Sequence, residues 1–198
     1  MGQAGQRVVI VGAGIGAVRT AEGLRRADFE GAIVVIGAEP ELPYDRPPLS
    51  KDVLLGTRDL DGIVLRSPDK LAELGLELHL GVEATGLDLA RRRVETEAGA
   101  EKFDHLVLAT GSTARSLPVL AGVPGVATLR TIADARAIRD ALVRARDVLV
   151  VGAGFIGAEV ASAARALGVA ATIVELDEAP LSRVLGREVG AALAGLHD

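Results

Sequence analysis

The stretch Asp147-Val-Leu-Val-Val-Gly152-Ala-Gly154-Phe-Ile-Gly157 decides the fold. An apolar run leads into three glycines spaced as Gly-x-Gly-x-x-Gly. Apolar residues then recur at three or four positions as far as Leu167, and a β-branched run follows at Thr172–Val174. This order predicts a strand, a tight turn, a helix and a second strand, which together make a βαβ unit. In such a unit the glycines let the backbone approach the pyrophosphate of a dinucleotide at the positive end of the helix. The residues expected to contact the dinucleotide are Gly152, Gly154, Phe155, Ile156 and Gly157.

The same pattern opens the chain. The run Arg7–Val11 is followed by Gly12-Ala-Gly14-Ile-Gly16-Ala17, a helical period and a β-branched run at Ile33–Ile36. Ala17 stands where a third glycine is expected, which the dinucleotide-binding fingerprint tolerates. Two tandem units predict an α/β fold with two Rossmann-like βαβ units and parallel sheets. The residues expected to contact the first dinucleotide are Gly12, Gly14, Ile15, Gly16 and Ala17.

The acid that should bind the ribose of the first dinucleotide is displaced. Such an acid is expected at the end of the second strand, about 20 residues after the glycines. Here the strand ends at Gly37-Ala38, and Glu39 comes next. Glu39 is therefore the candidate, and the alternative is an exposed loop carboxylate.

Between the two units the sequence changes to short strand patterns. We predict a small β-hairpin or meander insertion with a following buried strand, from the segments Leu76–Leu80, Gly86–Leu89, Arg93–Thr96 and Lys102–Ala109. Thr131 with Asp134 three residues later resembles a capping box and predicts a helix that continues to about Arg146.

A proline-rich loop, Leu42-Pro-Tyr-Asp-Arg46-Pro-Pro-Leu-Ser50-Lys51, follows the first unit. Its prolines stiffen the backbone, and Ser50 is predicted to cap a short helix over Lys51–Leu55. Lys51 would then lie in the first helical turn, where the helix dipole disfavours a cation. A residue that breaks a local rule suggests a functional demand.

This loop is the segment by which the chain resembles a known family. Together with Leu108-Ala-Thr-Gly111, Leu129-Arg-Thr131 and Gly154-Phe-Ile-Gly157-x-Glu159, it is similar to the FAD-dependent NADH:ferredoxin reductases of bacterial oxygenase and cytochrome P450 systems. Rubredoxin reductases and apoptosis-inducing factor are relatives of that family. The resemblance runs from Val8 to about Leu185. It implies a flavoprotein that passes electrons from NADH through FAD to a ferredoxin-type iron–sulfur protein.

The resemblance also implies roles for charged residues. Lys51 would contact the flavin ring near its reactive edge, Arg46 the phosphate or ribitol part of FAD, and Arg130 the flavin. Glu159 would face the nicotinamide site and pair with Lys51, so Lys51 and Glu159 are the candidate catalytic residues. The alternatives are ordinary surface charges for Arg46 and Lys51 and an exposed helix glutamate for Glu159.

Three further positions match places where the family's backbone passes FAD. Val82 matches a position beside the adenine, and Ala109 and Gly111 lie at the end of a buried strand. The alternative for Val82 and Ala109 is a place in the core of a strand.

Glu175 closes the strand that follows the second glycine motif, 23 residues after Gly152. A carboxylate at this position accepts hydrogen bonds from the ribose hydroxyls of the adenosine and repels a 2′-phosphate. The next three residues, Leu176-Asp-Glu178, supply no arginine for such a phosphate. We therefore predict NADH over NADPH.

Composition excludes several classes of function. The net charge of −5 argues against a nucleic-acid surface, and no apolar run has membrane-spanning length. The 198 residues contain no cysteine, which excludes a disulfide framework or a redox CxxC pair among them. The three histidines lack metal-ligand spacing, so no metal is expected. With no export signal at the start of the chain, we expect a cytoplasmic protein.

The family's later FAD-binding segment is missing, so we expect two incomplete domains. Residues 1–115 would be the N-terminal part of an FAD-binding domain, and residues 116–198 the N-terminal part of an NAD-binding domain. Two alternatives to the reductase stay open. One is a non-catalytic truncated fragment that binds nucleotide weakly or not at all, and the other is an NADH oxidase or nitrite reductase-type flavoprotein.

Overall fold

A computed structural model describes residues 5–195, and these form two compact units. The first unit contains residues 5–45 and 63–113, and the second contains residues 46–62 and 114–195. The first unit ends at residue 113, two residues before the predicted end of the first domain at residue 115. Residues 46–62, which the prediction placed in the first domain, pack with the second unit. The chain therefore enters the second unit twice.

The elements are numbered in chain order. The strands are β1 Arg7–Val11, β2 Ala32–Gly37, β3 Leu76–Leu80, β4 Ala84–Asp88, β5 Arg93–Thr96, β6 Gly99–Lys102, β7 His105–Leu108, β8 Asp147–Val151 and β9 Ala170–Val174. The α-helices are α1 Ile15–Arg26, α2 Asp52–Leu55, α3 Pro68–Glu73, α4 Ile132–Leu142, α5 Phe155–Ala166, α6 Ser182–Leu185 and α7 Arg187–Ala194.

A parallel sheet in the order β3-β2-β1-β7 forms the centre of the first unit. Strands buried on both faces have continuous apolar sequences, which explains the unbroken runs of β1 and β2. On one face Val8, Ile10 and Ile33 pack with α1, and on the other Val9 and Val34 pack with residues of the antiparallel strands. The strand predicted over Lys102–Ala109 is wrong as a single element, because buried Phe103 and exposed Asp104 separate β6 from β7.

The remaining strands of the first unit form an antiparallel sheet in the order β4-β5-β6. This three-stranded sheet corresponds to the predicted meander insertion. Leu76–Leu80, which was predicted among the insertion's segments, instead pairs with β2 in the parallel sheet as β3. Strand β4 begins two residues earlier than predicted, at Ala84, and its register with β5 is irregular between Ala84 and Gly86.

The second unit is built on the parallel pair β8 and β9 with α5 between them in sequence. Ala163 and Ala164 of α5 are buried in one core with Leu54, Leu142 and Val169. Small side chains on α5 let it lie close to the strands and to α2. The α/β class with two parallel βαβ units is thereby confirmed.

Helix α4 begins as the sequence predicts and ends earlier. The Thr131 hydroxyl accepts a hydrogen bond from the Asp134 backbone N–H (3.1 Å), and Asp134 Oδ2 accepts one from the Thr131 N–H (2.8 Å), which makes a complete capping box. The helix ends at Leu142 because residues 143–145 form a turn in which the Ala145 N–H bonds the Leu142 carbonyl. Among residues 5–195, no helix has the length and apolar character needed to cross a bilayer.

Candidate functional site

The first glycine turn, between β1 and α1, is shaped by the backbone that follows β7. Gly12 has φ +107°, and a Cβ there would lie 2.1 Å from the Ala109 carbonyl oxygen. Gly14 differs, because a Cβ added there would meet nothing within 4 Å. The fold therefore requires glycine at position 12, whereas position 14 is open towards any ligand.

The N-terminus of α1 is suited to an anion. Its N-cap residue, Gly14, makes no side-chain capping bond, and the first turn carries no acidic residue. Unpaired N–H groups and the helix dipole then face outward with positive potential. The predicted contact residues Ile15, Gly16 and Ala17 all lie in this first turn, with Ile15 exposed and Ala17 buried.

Glu39, the displaced ribose acid, is half-buried after β2, and its carboxylate accepts a hydrogen bond from the hydroxyl of buried Tyr44. Tyr44 belongs to the proline-rich loop, so this loop fixes Glu39. Sequence spacing alone did not reveal Tyr44 as a partner.

The backbone positions matched to the adenine and flavin lie in the first unit. The Val82 N–H bonds the Gly37 carbonyl (2.9 Å), and its side chain packs against the sheet core. The Ala109 N–H bonds the Val11 carbonyl (2.7 Å), and Gly111 follows with φ +71° and is exposed. Val82 and Ala109 thus lie just beyond the ends of β3 and β7, partly buried against the core of the first unit. The proposed backbone contacts of both residues with FAD stay a prediction.

The second glycine turn, between β8 and α5, resembles the first. The glycine that has no room for a side chain is here the last of the motif, Gly157. A Cβ on Gly157 would lie 2.0 Å from the Gly152 carbonyl oxygen, whereas one on Gly154 would meet nothing within 4 Å. Helix α5 begins at Phe155 without a side-chain cap or an acid in its first turn. Phe155 and Ile156 are about half exposed. The start of α5 is therefore suited to an anion for the same physical reasons as the start of α1.

Glu175 is held in place after β9 by backbone donors. Its carboxylate accepts hydrogen bonds from the N–H groups of Ala153 (2.6 Å), Leu176 (2.6 Å) and Asp177 (3.1 Å). The bond from Ala153, followed by those from Asp177 and Leu176, lowers the pKa of Glu175. Glu175 is therefore a fixed carboxylate directly beside the glycine turn, where a dinucleotide ribose is expected.

Sequence reasoning missed an arginine near this acid. Arg183, on α6, pairs with Asp177 through its Nε at 2.6 Å, and Asp177 raises the pKa of Arg183, with Glu175 adding a smaller electrostatic contribution. Arg183 follows Glu175 by eight positions, beyond the three residues directly after the strand where a phosphate-binding arginine was expected. Asp177 therefore neutralises this cation near Glu175.

A cavity of about 340 Å³ lies in the second unit. It is formed by the proline-rich loop, the residues before α4 and the first turns of α5. The lining residues are Arg46, Pro47, Leu49, Ser50, Lys51, Leu129, Arg130, Phe155, Ile156 and Glu159. The cavity thus brings together four residues predicted from the resemblance and two predicted from the second glycine motif. The four are Arg46, Lys51, Arg130 and Glu159, and the two are Phe155 and Ile156.

Glu159 is the centre of a polar cluster on one wall of this cavity. Its Oε1 pairs with Lys51 Nζ at 2.9 Å, and its Oε2 accepts a hydrogen bond from the Ser50 hydroxyl. Partial burial alone would raise the pKa of Glu159, but the hydrogen bonds from Ser50 and Lys51 and the charge of Lys51 outweigh burial and lower it. The expected pairing of Lys51 with Glu159 is present.

The predicted capping role of Ser50 is wrong. Helix α2 begins at Asp52, its N-cap position is Lys51, and no side chain caps it. The Ser50 hydroxyl instead reaches the Glu159 carboxylate, which is a stronger acceptor than a neutral group. Asp52 supplies the negative charge that the first turn of a helix favours.

Arg46 and Arg130 are linked to each other on the cavity wall. The Arg46 guanidinium donates to the Arg130 carbonyl (2.6 Å), and Asp134 Oδ2 accepts the Arg130 backbone N–H (2.9 Å). The capping box of α4 therefore also fixes the backbone that carries Arg130.

A separate group in the first unit was not foreseen from histidine spacing. Ligand atoms of Glu77, His79 and Glu101 lie within 4.8 Å of one another, although no metal was predicted. The Arg7 guanidinium lies 3.0 Å from the carboxylates of both Glu77 and Glu101. Arg7 already supplies a positive charge to these two acids.

Residues 6–198 match the family described as pyridine nucleotide-disulphide oxidoreductase. The chain belongs to this family. The benzene 1,2-dioxygenase system ferredoxin–NAD(+) reductase subunit of Pseudomonas putida is 43% identical over 191 residues, covering 96% of this chain and 46% of that protein. The anthranilate 1,2-dioxygenase system ferredoxin–NAD(+) reductase component of Burkholderia cepacia is 46% identical over 193 residues, covering 96% of this chain and 47% of that protein.

A solved structure, that of the covalent putidaredoxin reductase–putidaredoxin complex, is similar with a TM-score of 0.92 and 38% identity. The match covers 98% of this chain and 48% of that chain. The chain spans about half the length of the curated relatives it matches. The resemblance found in the loop and glycine motifs is confirmed.

Proposed function

We propose that the natural protein is a flavoprotein that oxidises NADH and passes the electrons through FAD to a ferredoxin-type iron–sulfur protein. The observation that carries this proposal is the wall of the second unit's cavity, where a lysine–glutamate pair stands beside a glycine turn suited to a dinucleotide. The names of the relatives, ferredoxin–NAD(+) reductases, support the same activity.

The first glycine turn fits the pyrophosphate of FAD. The turn at Gly14 has open space where a Cβ would stand, and the start of α1 has neither a side-chain cap nor an acid to compete with a phosphate. Glu39 would bind the adenosine ribose. The backbone positions proposed to pass FAD are Val82, Ala109 and Gly111.

The second glycine turn fits NADH for the same physical reasons. Gly154 is open, α5 starts without a cap, and Glu175 is already aligned by three backbone N–H groups. Because Glu175 is negative and Asp177 neutralises Arg183, a 2′-phosphate would meet net repulsion. NADH is therefore the proposed donor.

The cavity residues would bind and orient the reacting rings. Lys51 supplies a positive charge, Arg46 and Arg130 supply donors, and Phe155 and Ile156 offer apolar surface that excludes water. When bound, FAD supplies the chemistry of accepting a hydride equivalent and releasing electrons singly. Glu159 keeps Lys51 fixed and balances its charge, so that Lys51 stays directed at the cavity instead of bulk water.

Glu159→Ala tests this role in the natural protein. We expect NADH to reduce the flavin more slowly in anaerobic stopped-flow measurements, because Lys51 loses its partner. Glu188→Ala, which removes an exposed glutamate on α7, is the matched control and should reduce at the normal rate. An unchanged rate in Glu159→Ala would remove Glu159 from the mechanism.

The electron acceptor is tested separately. Reduced protein should transfer electrons to an added [2Fe–2S] ferredoxin faster than to dioxygen. Rapid oxidation by dioxygen with no transfer to ferredoxin would favour the NADH oxidase alternative. The cytoplasmic location stays a prediction.

A further inference from the structure

Ser50 is the only buried non-aromatic polar side chain among residues 5–195, with 5% of its surface exposed. A buried hydroxyl costs free energy unless it is hydrogen-bonded. The neighbouring helix α2 offers it an obvious capping role, and that role is not used. Its burial therefore calls for another explanation.

The hydroxyl has two acceptors within reach. One is the Pro47 carbonyl at 3.4 Å, which is the upper limit of a hydrogen bond, and the other is the much closer Oε2 of Glu159. A serine carries one hydroxyl hydrogen, so it can donate to only one of them at a time. Donation to the close carboxylate is favoured, because a charged acceptor makes the stronger bond.

The two oxygens of Glu159 are thus held by consecutive residues of the loop. Ser50 holds Oε2, and Lys51 holds Oε1 at 2.9 Å. Lys51 is about half exposed and has a flexible stem, whereas Ser50 is buried and short. Lys51 Nζ also contacts the Pro47 carbonyl at 3.3 Å, but its long side chain leaves Ser50 as the more rigid of the two donors to the carboxylate.

We propose that Ser50 is a positioning residue that orients Glu159 towards Lys51 by donating its hydroxyl hydrogen to Oε2. Only the expected effect of Ser50 on NADH oxidation rests on the proposed function. Its effect on the Glu159 carboxylate is independent of any cofactor. A serine that merely filled space would leave that carboxylate unchanged on removal of the hydroxyl.

The experiment measures the titration of the Glu159 carboxyl carbon by NMR in protein labelled with carbon-13 glutamate, with the signal assigned from Glu159→Gln. In Ser50→Ala we expect the apparent pKa of Glu159 to rise, because a donor to the charged form is lost. Ser50→Thr keeps the hydroxyl and should restore the value. Ser162→Ala, an exposed serine on the same helix, should change nothing.

The same variants are then tested for flavin reduction by NADH in the natural protein. Loss of a hydrogen bond to a charged group predicts a rate about tenfold lower in Ser50→Ala. It also predicts no further loss when Ser50→Ala is added to Glu159→Gln. An unchanged Glu159 titration in folded Ser50→Ala overturns the proposal. If the titration shifts while NADH reduces neither wild type nor variant, the proposal on Ser50 stands and the proposed function fails.

Discussion

Replacing Gly157 by alanine should destabilise the second unit. The added Cβ would lie 2.0 Å from the Gly152 carbonyl oxygen and 3.3 Å from Val150 Cγ1. Ordinary contacts begin near 3.4 Å, so the start of α5 must move by more than an ångström away from the backbone of the turn. No side chain can move aside, because the close neighbour is a backbone carbonyl.

The magnitude follows from two opposing effects. Overpacking costs about 1–3 kcal/mol, whereas alanine in a helix gains about 0.5–1 kcal/mol over glycine. Because the clash is with backbone, the cost should lie in the upper part of its range, and we expect the free energy of unfolding to fall by about 1–2 kcal/mol. Urea denaturation followed by circular dichroism measures this change.

Gly154→Ala is the matched variant in the same turn. Its φ of −78° suits any residue, and a Cβ would meet nothing within 4 Å, so stability should stay near that of the wild type. The methyl group would nevertheless project where a pyrophosphate is expected. Loss of one hydrogen bond to a charged phosphate should weaken NADH binding about tenfold, which calorimetry can measure. A stable Gly157→Ala protein, or normal NADH binding by Gly154→Ala, would refute the reasoning about this turn.

Three further outcomes are expected. Thr131→Ala should lower the free energy of unfolding by about 1 kcal/mol, because the capping bond to Asp134 is lost. Thr131→Ser should restore the stability, as measured by thermal denaturation. Equal stability of all three proteins would show that this bond does not cap the helix. The pKa of Glu159 is lower in the folded protein than its ordinary value of 4.5. The ionised carboxylate therefore stabilises the fold above about pH 4.5, and this stabilisation is lost as the pH falls through the pKa of the folded protein. Glu159→Gln should therefore be less stable at neutral pH and approach the wild type in acid, and a stability difference independent of pH would contradict this. Asp177→Asn should raise kcat/KM for NADPH relative to NADH, because it releases Arg183 to meet a 2′-phosphate. Adding Arg183→Ala should reverse that gain. An unchanged ratio of the two kcat/KM values would contradict the role of this ion pair.

Local patterns in the sequence predicted much of the fold. The bounds of β1, β3 and β5 agree with the runs from which they were predicted, because strand signals are short-range. The capping box of Thr131 was also predictable, since its partners are three residues apart. Each glycine turn follows its strand and opens its helix as the spacing indicates.

What the sequence did not show depends on contacts between distant residues. Residues 46–62 join the second unit through packing of Leu54 with α4 and α5, which no local pattern encodes. The hydroxyl of Ser50 bonds a carboxylate 109 positions away, and this interaction overrides the local preference for a helix cap. Such partners become visible only when the chain is folded.

The site was predictable where the motif itself holds the functional group, as at Gly154 and Glu175. The sequence did not predict the distant partners of these acids. Arg183 lies near Glu175, and the Tyr44 hydroxyl bonds the Glu39 carboxylate. The proposed activity therefore rests on motif residues, and its tuning rests on long-range pairs.

We propose above that this chain belongs to a flavoprotein that NADH reduces. The most direct measurement is the visible absorption spectrum of the purified natural protein before and after anaerobic addition of NADH. We predict a yellow protein with a flavin spectrum that NADH bleaches, and only weak bleaching by NADPH at the same concentration. A colourless protein that takes up no added FAD, or a flavin spectrum that NADH leaves unchanged, would contradict the account.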